Sequence, residues 1–266
     1  MTSDTLATEL SCAIDQLEAD NPAGALETLT AYLTKHPADA AGHFYRGDSL
    51  TELGRLDEAI AAYQTGLKLC PDDPDALTTL GDLLLEVGRH QDALASYRRV
   101  LEVDPQDADA LVSIGLVYSS QDKGDEAIRA FQQAIEQEPD NLFAWNALGD
   151  AWYGQGDHQK AIEAYQQGIT LDPQDPAAYH NLGELYYDLE DYDEAEDQCR
   201  TALQLDPCFS MAYLTLGGIC MDQERIEEAL GYYQQYLKHE RSSLATEMLA
   251  EVKAVVEGLK EELGKQ

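Results

Sequence analysis

Apolar residues recur along the chain with the spacing of amphipathic helices. Near its middle, Trp145, Leu148 and Trp152 are separated by three or four residues and mark one face of a first helix. A short turn containing glycine and aspartate follows, and Ala161 and Tyr165 then mark the apolar face of a second helix. The pattern predicts two antiparallel helices joined by a tight turn.

Three residue types repeat with the same period. Alanine, proline and glycine each return every 34 residues, at Ala25, Ala59, Ala93, Ala127, Ala161, Ala195 and Ala229, at Pro37, Pro71, Pro105, Pro139, Pro173 and Pro207, and at Gly47, Gly81, Gly115, Gly149, Gly183 and Gly217. A fixed period of this length is typical of repeat architectures. The small residues are expected where two helices approach closely, and the prolines where each helix pair ends.

The fourth repeat carries a fuller set of markers, namely Leu111, Ile114-Gly115, Tyr118, Ala127, Phe131 and Pro139. This set resembles the signature of the tetratricopeptide repeat family. The resemblance covers residues 6–243 and implies an all-α fold, a right-handed superhelical α-solenoid of seven 34-residue helix–turn–helix repeats. The predicted repeats are 6–39, 40–73, 74–107, 108–141, 142–175, 176–209 and 210–243, after an N-terminal tail at 1–5.

Residues 244–266 are predicted to form a C-terminal capping helix and tail. A single apolar stripe is expected along this helix, formed by Leu244, Met248, Val252, Val255, Leu259 and Leu263. Glutamates occupy its other face. One interpretation is that the helix closes the last apolar face of the repeat array. The alternative is an exposed helix that binds a partner.

Charge narrows the classes of partner. The chain has 266 residues, 51 of them acidic and 17 basic, and a net charge of −34. This charge excludes nucleic acid and the anionic surface of a membrane as partners. No apolar segment approaches the roughly 18 residues of a membrane span. The five cysteines form no CxxC pair, and we expect a reducing, cytoplasmic setting.

Catalytic chemistry is not predicted. The sequence contains no nucleophile elbow, phosphate-binding loop or zinc-protease motif, so we expect no enzyme activity, no catalytic residue, no metal and no cofactor. One position departs from the apolar pattern. Glu196 stands where every other repeat has leucine or isoleucine, and a buried lone charge is costly. We expect Glu196 to be paired or partly exposed, with locally loose packing around it.

The resemblance implies a concave groove, lined by the face of each first helix that does not pack inward, that holds peptides or partner helices. Carried over to this sequence, the candidate groove residues are Phe44, Asp48, Thr51, Asp82, Glu86, Phe143, Asn146, Asp150, Tyr153, His180, Glu184, Tyr187, Asp188 and Asp222. Tyr153 and Tyr187 occupy equivalent positions and are candidate hot spots. The alternative is that these two tyrosines only cover the groove floor.

Five positions of each first helix belong to this face, which makes 35 positions in the seven repeats. They hold eleven acids and no lysine or arginine. Family members that bind the C-terminal carboxylates of chaperones use lysine, asparagine and arginine there, so this carboxylate clamp is excluded. We expect a protein or peptide partner with basic and apolar groups, although a general adaptation to solubility accounts for most of the charge. Two alternatives remain: a homo-oligomer assembled through terminal repeats or the last helix, and a regulatory partner of an enzyme on another chain.

Overall fold

The computed structural model describes residues 3–241 and 245–264, and of residues 3–8 the backbone alone. Within these ranges it contains fifteen α-helices and no strand, which confirms the predicted all-α solenoid class. The chain divides into two compact units, Met1–Pro139 and Asp140–Gln266. None of the described helices combines the length and the apolar character that crossing a membrane requires.

The first compact unit contains eight helices. They are α1 (Ser3–Glu18), α2 (Pro22–Lys35), α3 (Ala40–Glu52), α4 (Leu56–Leu69), α5 (Pro74–Glu86), α6 (His90–Val103), α7 (Ala108–Ser119) and α8 (Gly124–Gln137). Helix α1 therefore begins inside the segment predicted as a tail, whose first two residues lie outside the described part of the chain.

The second compact unit contains seven helices. They are α9 (Leu142–Gly154), α10 (His158–Leu171), α11 (Pro176–Asp188), α12 (Tyr192–Leu205), α13 (Ser210–Asp222), α14 (Ile226–His239) and α15 (Thr246–Leu263). In both units, helices pair in chain order as antiparallel hairpins, and α15 packs on α14.

In six of the seven helical hairpins, the two helices meet at a glycine and an alanine. A Cβ atom placed on Gly149 of α9 would lie 2.5 Å from Cε1 of Tyr165 on α10, so no larger residue fits beneath the ring. Ala161, on the same helix as Tyr165, is completely buried. The same glycine–aromatic contact recurs at Gly47–Tyr63, Gly81–Tyr97, Gly115–Phe131 and Gly217–Tyr233. The small residues therefore fix how closely the helices approach.

Acidic side chains begin many of the helices. The first helix of a hairpin repeatedly starts after an aspartate or asparagine whose side chain accepts a hydrogen bond from a backbone N–H of the first turn. These N-caps are Asp39, Asp73, Asp107, Asn141 and Asp175, with distances of 2.8–3.1 Å. A negative charge at a helix N-terminus also interacts favourably with the helix dipole. Part of the acidic composition is thus structural.

A second set of acids accepts hydrogen bonds from tyrosine within a hairpin. Tyr97 Oη on α6 donates to Asp82 Oδ1 on α5 at 2.6 Å, and Tyr165 makes the same bond to Asp150 at 2.6 Å. Tyr63 donates to Asp48 in the α3–α4 hairpin. In the α7–α8 hairpin the equivalent residues are Phe131 and Leu116, which lack both the donor and the acceptor. In this hairpin the donor and its acceptor are absent together.

Helix α15 buries a face slightly rotated from the predicted stripe. Val252, Val256 and Leu259 are 4–5% exposed, whereas Val255 is 39% and Met248 is 41% exposed. The predicted inclusion of Val255 and Met248 is therefore wrong, and Leu244 lies outside the described residues. The buried side chains pack against residues of α13 and α14, which supports the capping interpretation.

Glu196 of α12 is buried in an ion-pair network. The side chain of this residue is 10% exposed, and both carboxylate oxygens accept hydrogen bonds from Arg225, at 2.8 and 2.9 Å. Arg200 donates a further bond at 2.5 Å. The hydrogen bond from Arg225 lowers the pKa of Glu196 below its ordinary value, against the opposing effect of burial. Glu196 is thus paired, as expected.

Glu196 also belongs to a group of potential metal ligands. Ligand atoms of Glu196, Cys220 and Glu228 lie within 4.8 Å of one another. Arg225 donates to both carboxylates, however, at 2.8 Å to Glu196 and 2.7 Å to Glu228. Arg225 therefore supplies, between these two carboxylates, the positive charge that a metal ion would otherwise provide.

Adding a hydroxyl to Phe131 is expected to destabilise the first compact unit by about 1–2 kcal/mol, because the new donor faces Leu116 instead of a carboxylate. The double variant Phe131→Tyr/Leu116→Asp recreates the pair found at Tyr97 and Asp82. Its loss of stability should be smaller than the sum of the two single losses, as measured by urea denaturation in a double-mutant cycle. Strict additivity would show that the two positions are independent.

The substitution Arg225→Ala is expected to lower the free energy of unfolding by about 2–4 kcal/mol, because it leaves the buried carboxylate of Glu196 without its bidentate partner. Adding Glu196→Leu, the residue type of the other hairpins, should recover most of this loss in guanidinium denaturation. Arg55→Ala is the matched control: Arg55 makes only an exposed pair with Glu58, and its removal should cost less than about 1 kcal/mol.

The same variants predict a pH dependence. Because the folded-state pKa of Glu196 is lowered, its ionic contribution is present above the unfolded pKa and is lost as the pH falls through the folded pKa. The stability advantage of the natural chain over Arg225→Ala should therefore shrink in acid. An advantage that stays constant down to about pH 3, well below the ordinary carboxyl pKa, would contradict the assigned network.

Candidate functional site

The candidate groove residues of the first compact unit lie on α3 and α5. Phe44 stacks on Tyr63 with ring centroids 5.8 Å apart and covers Gly66. Asp48 and Asp82 each accept a tyrosine hydroxyl. The remaining two are Thr51 and Glu86. Thr51 donates its hydroxyl to the Gly47 carbonyl oxygen at 3.0 Å, and Glu86 is exposed.

A cavity of about 360 Å³ opens between α3 and α5. Phe44, Tyr45 and Tyr63 provide aromatic walls, and three carboxylates and small side chains complete the lining: Asp48, Asp73, Asp75, Ala41, Ala76 and Thr79. We call it the α3–α5 cavity. Burial raises the pKa of the Asp48 carboxyl above its ordinary value, although the hydrogen bond from Tyr63 opposes the shift.

In the second compact unit, tyrosines connect the first helices of successive hairpins. Tyr153 on α9 donates its hydroxyl to Asp188 on α11. Tyr187, one repeat later, donates to Asp222 Oδ2 on α13 at 2.8 Å. Burial, and then the bond to Asp222, raise the pKa of Tyr187. We call the surface on which these four residues lie the first-helix face of the second compact unit.

This ladder changes the interpretation of the two candidate hot spots. The hydroxyls of Tyr153 and Tyr187 already have partners within the chain, so they hold neighbouring hairpins in register. Tyr153 remains 37% exposed, and both rings line a cavity. The two tyrosines therefore contribute ring surface and leave the charge of their aspartates on the same face.

The cavity has a volume of about 390 Å³ and is formed by side chains from five helices. Its lining residues are Tyr153, Glu184, Tyr187, Asp188, Leu214, Thr215, Gly218, Tyr233 and Met248. We call it the α11–α13 cavity. A smaller space of about 100 Å³ adjoins it at Tyr153 and Glu184 and reaches Asp150 and Tyr165. Shielding of Asp150 from water raises the pKa of that carboxyl.

Four candidate residues of the second unit line neither of its cavities: His180, Phe143, Asn146 and Asp222. His180 is 5% exposed; its Nε2 lies 3.1 Å from the Thr215 hydroxyl, and burial lowers its pKa. Phe143 is 63% exposed at the beginning of α9. Asn146 lies against Gly168, and its Oδ1 is buried with no hydrogen-bond partner among the described residues. The structure thus brings together Tyr153, Tyr187, Asp150, Glu184 and Asp188, but not these four.

Several lining residues were not candidates in the sequence. Tyr45 and Thr79 occupy equivalent positions that were assigned neither to the inward face nor to the groove, and Asp73 precedes the first helix of its repeat. Tyr233 lies on a second helix and Met248 on α15, outside the repeat pattern. A usable signal was present for Tyr233, because the position that holds its acidic partner in other repeats is a glycine, Gly218.

The electrostatics of both cavities favour cations. Neither lining contains a lysine or arginine as far as the structure describes the chain. His180 lies 3.6 Å from Glu184, but burial lowers the pKa of this histidine and favours its neutral form. No positive charge on His180 therefore offsets the carboxylate of Glu184 beside the α11–α13 cavity.

The comparisons with known proteins agree with the helical architecture. A tetratricopeptide repeat model matches residues 47–88 and 81–122, and the model of the Cilia and flagella-associated protein 70 C-terminal domain matches residues 106–252, more than half of the chain. No curated protein sequence matches the chain.

Solved structures extend the likeness. A tetratricopeptide repeat protein from Parabacteroides merdae ATCC 43184 is 19% identical with a TM-score of 0.78, over 94% of this chain and 99% of its own. MamA is 32% identical with a TM-score of 0.54, over 60% of this chain and 94% of its own. Yeast Tom70 is 18% identical with a TM-score of 0.71, over 97% of this chain and 54% of its own.

The 34-residue period, the glycine–aromatic contact inside the hairpins and these matches lead to one assignment: the chain belongs to the tetratricopeptide repeat family.

Proposed function

We propose that this chain is a non-enzymatic scaffold for protein–protein interaction whose first-helix faces bind a peptide or protein segment with basic and apolar side chains. Proteins of this repeat fold are generally interaction scaffolds, and fold alone does not identify a partner. The chemistry of the partner is inferred from the two cavities. A cytoplasmic setting, expected from the sequence, is part of the proposal.

The observation that carries the proposal is the composition of the α11–α13 cavity. It combines tyrosine rings, the carboxylates of Glu184 and Asp188, and the apolar side chains of Leu214 and Met248 in one concave surface. Interface hot spots are enriched in tyrosine, and ligand sites combine apolar walls with a few polar groups. Such a surface suits a segment that alternates basic and apolar residues.

The acids of this face are fixed rather than free to rearrange. Asp188 and Asp222 each accept a tyrosine hydroxyl, which orients the carboxylate before a partner arrives. Because tyrosine is a neutral donor, these hydrogen bonds add no positive charge to the face. A preorganised negative surface attracts a basic segment at long range and loses less entropy on binding.

We expect a labelled synthetic peptide with alternating leucine and arginine to bind the full-length chain, and its glutamine and glutamate counterparts to bind roughly tenfold more weakly or worse in fluorescence anisotropy. Raising the ionic strength from about 50 to about 300 mM should lower the affinity of the chain for the arginine peptide by roughly 3–10-fold, because salt screens the electrostatic attraction. Equal binding of the glutamate peptide, or affinity independent of salt, would contradict the proposal.

Matched charge variants locate the binding surface. Glu184→Gln/Asp188→Asn removes two charges from the cavity, and the asparagine carbonyl still accepts the Tyr153 hydroxyl. This variant should bind the arginine peptide about 5–10-fold more weakly. Glu163→Gln/Asp197→Asn removes two charges from exposed positions of α10 and α12 that line neither cavity, and should leave affinity within about twofold.

Self-assembly is the second candidate function, and exposed apolar side chains on α15 favour it. Met248 and Val255 are 41% and 39% exposed and lie seven residues apart, on the same side of the helix. If α15 packs against another copy, the mass in sedimentation velocity should rise with concentration. Val255→Lys should then abolish the rise. A monomer at every concentration would exclude this candidate.

A further inference from the structure

The α11–α13 cavity lies where the α13–α14 hairpin departs from the tyrosine–aspartate pattern. In the hairpins that contain Tyr63, Tyr97 and Tyr165, the ring lies over a glycine and the hydroxyl donates to an aspartate of the first helix. Tyr233 lies over Gly217 in the same way, with its Cε1 atom 2.5 Å from the site of a Cβ. Its hydroxyl therefore points to the equivalent position, which is Gly218.

Gly218 leaves that hydroxyl without the usual acceptor. The structure shows no hydrogen bond from Tyr233 to any of the residues it describes. Tyr187 occupies part of the space. Its Oη atom is 3.0 Å from the point where a Cβ of Gly218 would lie, and this hydroxyl donates its hydrogen bond to Asp222. The rest remains open as the cavity, with Tyr233 in its wall.

We propose that the α11–α13 cavity binds a single arginine side chain of a partner segment. The guanidinium lies among the carboxylates of Glu184 and Asp188 and the hydroxyl of Tyr233, which accepts one of its N–H groups. The aliphatic part of the side chain packs on Leu214 and Met248. This inference rests on the proposed function and specifies the residue that anchors the partner.

Three properties of the lining favour arginine over other side chains. The two carboxylates oppose binding of an acidic side chain and favour a cation. The planar guanidinium stacks on tyrosine rings and offers five N–H donors to the several acceptors. The volume of about 390 Å³ accommodates a long side chain, and Leu214 and Met248 contribute apolar surface to the lining.

Met248 gives a direct reporter of occupancy. It is one of four methionines in the chain and lines the cavity, whereas Met211 lies on α13 outside the lining. With ¹³C-methyl-methionine labelling of the full chain, N-acetyl-L-argininamide should shift the Met248 signal with millimolar affinity and leave Met211 unchanged. N-acetyl-L-citrullinamide, a neutral molecule of nearly the same shape, should bind roughly fivefold more weakly or worse.

Gly218→Asp tests the origin of the cavity. The new carboxylate supplies the acceptor that other hairpins have and fills the space, so the argininamide shift should disappear. Gly231→Asp is the matched control: Gly231 lies on α14 with no atom within 4 Å of a Cβ placed there, and this variant should bind like the natural chain. Because Tyr187 must move to admit the new side chain, Glu184→Gln provides a second variant that keeps the volume, and it should weaken binding about 3–10-fold.

The outcomes separate this inference from the proposed function. If the arginine peptide binds with salt-dependent affinity but argininamide leaves Met248 unshifted, the arginine pocket is wrong and the interaction surface stands. If argininamide shifts Met248 but no peptide binds, the pocket is supported and the scaffold proposal fails. Equal shifts from citrullinamide, or from N-acetyl-L-lysinamide, would overturn the assignment to arginine.

Discussion

The close approach of two helices at a glycine determines much of what lies on the surface of this protein. At Gly149 and four of its equivalents no Cβ fits, because an aromatic ring from the second helix lies directly across the first helix. Where the ring is a tyrosine, its hydroxyl can reach the aspartate that directly follows the glycine, as Tyr97 reaches Asp82 and Tyr165 reaches Asp150. A packing constraint in the core therefore determines where these hydroxyl groups lie on the first helix.

That placement explains a part of the acidic composition. Some aspartates begin helices, and others accept the tyrosine hydroxyls that the packing delivers. Where the ring is Phe131 and has no hydroxyl, the acid is replaced by Leu116. A net charge of −34 thus contains many charges whose local role is structural. The charge that informs about a partner is the smaller set beside the cavities, held in place by those same bonds.

The fold was predictable because its causes recur in every repeat. A position that must be small, or that must end a helix, appears several times in one chain, and the period makes it visible in a single sequence. The site was less predictable, since contacts between repeats carry no such signal. Nothing in the spacing showed that Tyr153 reaches Asp188, or that the two arginines satisfy Glu196. Helix α15 lies outside the period, and there the choice between Val255 and Val256 depended on packing alone.

Departures from the repeat pattern have opposite consequences in two places. At Glu196 a charged side chain replaces an apolar one. Arg225 forms an ion pair with it, so the charge is compensated within the chain. At Gly218 the acidic side chain is missing, and the surrounding residues fill only part of the space that it would occupy. A repeat array can tolerate either change because each hairpin contacts only its neighbours. Only the second change leaves an unsatisfied hydroxyl beside uncompensated carboxylates, and for that reason specificity is to be sought where the pattern fails without an internal partner.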